Sequence, residues 1–122
     1  MLIKQAWQRY FLAMAALACA SAVAMSAYAS HGLDGDSKSR MMTACYFAFA
    51  HGLSLIMLVR MSPARFNLYP CSLMLLGLCL FCGSLASAAL WQTSTALAPS
   101  GGIALILAWC WVAINFLTFK ED

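Results

Sequence analysis

Four apolar runs, at 10–30, 41–59, 71–90 and 103–119, contain no Asp, Glu, Lys or Arg, and this segregation constrains the fold more than any other feature. As helices rising 1.5 Å per residue, the runs are roughly 25–31 Å long, close to the bilayer's hydrocarbon thickness of about 30 Å. The charged residues fall between them: Lys4 and Arg9, then Asp34, Asp36, Lys38 and Arg40, then Arg60 and Arg65, then Lys120, Glu121 and Asp122. A charge at the bilayer centre costs about 2.5–3.5 kcal/mol even on mild scales, so this pattern suits membrane spans rather than core helices of a water-soluble domain. The expected fold is an all-α integral membrane protein: one domain over residues 1–122, built as a four-transmembrane-helix bundle with short loops.

Composition agrees. A chain with 64% hydrophobic and 9% charged residues cannot cover a water-facing surface. The net charge of +3 comes from basic residues scattered one or two per loop, which argues against a nucleic-acid partner. Those residues read instead as topology signals. Five of the seven Lys/Arg lie in the N-terminal tail, the 60–70 loop and the C-terminal tail, predicting that both termini and that loop are cytoplasmic. Trp7, Tyr10, Tyr69 and Trp91 stand at run ends, where aromatic rings favour the interface.

The first run also resembles a signal peptide, with Lys4 and Arg9 ahead of it and Ala27-Tyr28-Ala29 as a cleavage box. Its apolar stretch exceeds the usual length of about 7–15 residues, so it is expected to remain as a span. Pro63 and Pro70 bracket the second loop, and Ser37 or Ser39 is expected to cap the second helix. Small residues recur every four positions as Ala18/Ala22/Ser26/Ser30, Ala44/Ala48/Gly52 and Cys79/Gly83/Ser87, predicting close helix contacts. On this pattern Gly83 faces a helix and Leu78 faces lipid. Pro99-Ser100-Gly101-Gly102 marks the start of the fourth helix as a tight turn and packing contact, or as amides able to hold an anion.

His51 is the ionisable side chain placed deep in a run. It is either a neutral imidazole hydrogen-bonded to a neighbouring helix or a ligand for a haem or metal. His31 lies about ten residues of helix, on the order of 15 Å, from the depth of His51, which disfavours a shared haem iron. Cys79 and Cys82 form a C-x-x-C pair in an apolar context without a second pair, and read as packing, as do the methionines. Asp34-Gly-Asp36-Ser opens like a calcium loop, but Ser39 and Cys45 stand where its glycine and glutamate belong. Asn115 is the other strongly polar group within a run. The spans hold no acidic relay for a proton-coupled transporter, no catalytic triad and no phosphate loop.

Ser26-Ala-Tyr-Ala-Ser-His31-Gly32-Leu33 resembles the G-A-F-G-A-H-G-L segment of the small bacterial YgdD-like membrane proteins, domain of unknown function 423. Phe47 and His51 match the Tyr-x-x-x-His of that family's second helix. Leu80-Phe-Cys82-Gly83-Ser84-Leu85-Ala86 matches its L-F-S-G-S-L-Y, and Ala98-Pro99-Ser100-Gly101-Gly102 its T-P-x-G-G. Ala108-Trp109 stands for a Gly-Trp. Departures are Ala29 for a glycine, Phe47 and Ala86 for tyrosines, Cys82 for a serine and Ala98 for a threonine. The resemblance implies a four-helix inner-membrane protein and marks His31, Gly32, Leu33, His51, Gly83, Ser84, Pro99, Gly101 and Gly102 as motif and packing positions. It assigns no activity.

The function expected from these features is a non-catalytic accessory or structural subunit without a cofactor. It would sit in the bacterial inner membrane and pack against a larger complex or further copies of itself. The alternatives are a haem-, metal- or lipid-binding protein using His51 and, more remotely, an oligomeric channel or transporter.

Overall fold

The computed structural model describes residues 2–61 and 67–118, with side chains from residue 6 onward. The chain forms four helices, α1 (Leu2–Gly32), α2 (Gly35–Met61), α3 (Leu68–Trp91) and α4 (Ala98–Thr118), and no strand among the described residues. All four are long and apolar enough to cross a membrane. Pro63, Arg65, Phe119 and the C-terminal charges, which entered the loop and topology expectations, lie outside the described residues.

Each helix extends past its apolar run, so the connections are shorter than the runs suggest. Between α1 and α2 only Leu33 and Asp34 intervene. The reversal is taken up by Gly35 at φ 55°, a left-handed conformation that glycine adopts without a Cβ penalty. Leu33 N–H still bonds the Ala29 carbonyl at 3.3 Å, and the Asp34 carbonyl accepts from Lys38 N–H at 3.3 Å. Ser37 and Ser39 therefore lie inside α2 and do not cap it. The charged turn at 36–40 is helical because Asp36 sits in the first turn, where a negative charge favours the helix dipole.

α4 likewise begins at Ala98, five residues before the apolar run. Pro99 fits that first turn because its missing N–H would have no intrahelical partner there. Pro70 is accommodated in the first turn of α3 for the same reason, so it starts that helix rather than closing the loop. Gly101 and Gly102 are thus helical, not a turn.

The helices pack in chain order, α1 on α2, α2 on α3 and α3 on α4. Ala15, Ala22 and Ala29 are the buried positions of α1, recurring every seven residues along the face it presents to α2. This replaces the expected four-residue stripe: Ala18 and Ser26 are half-buried and Ser30 is exposed. On α2 the expected stripe holds, with Ala44 and Gly52 buried and Ala48 half-buried. A Cβ on Gly52 would lie 2.6 Å from Cys19 Sγ and 2.9 Å from the Ala15 carbonyl oxygen, so the two backbones meet there.

On α3 the expectation fails. Cys79 and Gly83 are exposed and Ser87 is half-buried, and a Cβ on Gly83 would meet nothing within 4 Å. Leu78, expected to face lipid, is 4% exposed and belongs to the core. The close approach falls two positions away, roughly 200° around the helix. A Cβ on Gly77 would lie 3.0 Å from the Gly101 carbonyl oxygen, and one on Gly101 would strike the backbone of Phe81.

Side chains from all four helices fill one core cluster, among them Ala15, Leu55, Leu58, Met74, Leu78, Leu105 and Val112. A second cluster of Ala22, Ala29, Met41, Cys45 and Ala89 lies toward the α1–α2 turn.

Candidate functional site around His51

The apolar interior leaves few polar side chains with anywhere to go, and His51 and Asn67 find a carbonyl or another side chain while the Ser84 hydroxyl finds none among the described residues. His51, at 8% exposure, sits on the face of α2 directed at α3 and α4. The indole Nε1–H of Trp109 donates to His51 Nε2 at 3.1 Å. An indole nitrogen can only donate, so Nε2 is the acceptor and the ring proton must be on Nδ1. His51 Nδ1 lies 2.8 Å from the Phe47 carbonyl oxygen, one helical turn earlier, and donates to it. Both nitrogens of a neutral imidazole are thereby satisfied.

An aromatic collar surrounds the pair. The Phe47 ring stacks on His51 with centroids 5.7 Å apart and 10° between planes. It also meets Phe81 of α3 at 4.6 Å. Trp109, 41% exposed, lays its ring outward while its N–H reaches inward. Together these rings join three helices at one level.

This arrangement can hold helices together; it is poorly arranged to hold a metal or haem iron. Ligation through Nε2 would require the Trp109 N–H to leave, and ligation through Nδ1 would require the Phe47 carbonyl bond to break. His31 lies exposed at the end of α1, and His51 is sixteen residues into α2, about 24 Å of helix. The two histidines are therefore further apart in depth than their runs suggested. Among the described residues, no three His, Cys, Asp or Glu side chains gather where they could hold a metal ion.

Cysteine thiols bridge helices in two places. Cys82 Sγ–H donates to the Ala44 carbonyl at 3.3 Å, α3 to α2, and Cys19 Sγ–H to the Phe49 carbonyl at 3.7 Å, α1 to α2. Cys79, the other half of the C-x-x-C pair, is exposed and shares no partner with Cys82. Near the opposite end of α4, Asn115 Nδ2 donates to Asn67 Oδ1 at 3.5 Å, and Asn67 Nδ2 to the Leu58 carbonyl at 3.4 Å. Asn67 was missing from the sequence reading. It stands at the N-cap position of α3 but makes no side-chain cap bond there, so helix-start preference does not signal the bonds it makes to Leu58 and Asn115.

The remaining motif positions scatter. Gly32 is exposed beside the Tyr28 ring, Leu33 is half-buried against the second core cluster, and Pro99 is exposed at the start of α4. Ser84 is buried on α3, Gly101 is wedged against α3, and a Cβ added at Gly102 would lie 3.8 Å from the Phe81 ring. The motifs therefore form no single cleft; His51, Gly101 and Gly102 share the α2–α3–α4 junction around Phe81.

A family model described as "Protein of unknown function (DUF423)" matches residues 25–102, from late α1 into the first turn of α4. The chain belongs to the DUF423 family. No curated protein and no solved structure matches it. The DUF423 match includes His51, Phe47 and Phe81 but stops short of Trp109, the partner that fixes the imidazole's proton.

Proposed function

We propose that this DUF423 protein is a non-catalytic, multi-pass component of the bacterial inner membrane. It packs as an accessory or structural subunit against a larger membrane complex or further copies of itself, with both termini cytoplasmic. The observation that carries this reading is the state of His51. Its buried imidazole is occupied at both nitrogens in tying α2 to α4, which leaves it no lone pair for a ligand and no free proton to relay.

Polar groups elsewhere in the bundle support the same reading, because the Cys82 thiol and the Asn67 amide go to carbonyls of α2. The orientation rests on the distribution of Lys and Arg between loops.

Purification in mild detergent tests the proposal, with an optical absorption spectrum and mass spectrometry of co-purifying chains. Stoichiometric partner chains, or a defined homo-oligomer, together with a featureless visible spectrum are the expected result. A stoichiometric haem or metal, or a monomer with no partner, would overturn it.

A further inference from the structure

We draw no further inference here: the strongest candidate, the cavity of about 120 Å³ between α1, α2 and α3 lined by Met25, Met41, Cys45 and Cys82, carries nothing because its Cys82 thiol is already given to the Ala44 carbonyl and nothing in the structure shows what occupies it.

Discussion

The bond between Trp109 and His51 makes a quantitative prediction, because it joins helices whose backbones are not neighbours. Trp109→Phe removes the N–H while keeping an aromatic ring, and His51→Leu removes the acceptor while keeping apolar bulk. Each single change leaves one polar atom of the pair without its partner, which costs about 1–3 kcal/mol for a buried group in water-soluble proteins. Hydrogen bonds between membrane helices are worth less, on average about 0.6 and at most about 1.7 kcal/mol. The double variant should therefore be more stable than the sum of the singles predicts by about 0.6–1.7 kcal/mol. Unfolding in mixed micelles with increasing sodium dodecyl sulfate, followed by tryptophan fluorescence and circular dichroism, measures the four stabilities. His51→Gln keeps one donor and one acceptor and should fall close to wild type. Nitrogen NMR of labelled histidine supplies a second readout, with the proton expected on Nδ1. A coupling within about 0.3 kcal/mol of zero, the scatter of independent sites, would refute the reasoning, as would a proton on Nε2.

Three further outcomes are expected. Leu78→Ala should cost roughly 2 kcal/mol, the low end for buried leucines because lipid does not penalise apolar exposure; Gly83→Leu in detergent should stay within about 0.5 kcal/mol of wild type. Equal losses on thermal melting would show that the two faces of α3 are misassigned. Gly101→Ala should destabilise by roughly 3 kcal/mol, since its Cβ meets the Phe81 backbone, whereas Gly102→Ala should be nearly silent; the same melts compare them. Finally, reporter fusions at residue 122 and in the 92–97 connection should give cytoplasmic and periplasmic signals respectively, and the opposite pair would reverse the topology.

The number and placement of the spans were legible in the sequence because charge cannot enter hydrocarbon cheaply, and eleven charged residues outline four gaps. Helix ends were less legible. The 35–40 segment is charged, yet it is helical because the turn closes in two residues and leaves it continuous with α2. Helix faces were the least legible. A four-residue stripe of small residues on α3 has no way to announce whether it points to lipid or to protein, since both surroundings are apolar. Gly83 and Gly77 are equivalent in composition, and only the position of α4 separates them. His51 could be named from its depth, but its role depended on Trp109, 58 residues away and conspicuous in sequence only as one aromatic among many.

The chain-order packing has a consequence for how such a protein can be made. Each helix after the first packs on the one synthesised just before it, so the α1–α2 hairpin, with its two-residue connection, can assemble before α4 leaves the ribosome. The contact between His51 and Trp109 is different: it needs the last helix in place. It works as a latch that registers completion. In chains truncated after residue 91, cysteine crosslinks between α1 and α2 should form as in the full chain while the imidazole loses its tautomer preference, so an inserted but unfinished copy differs chemically from a finished one at a single buried ring.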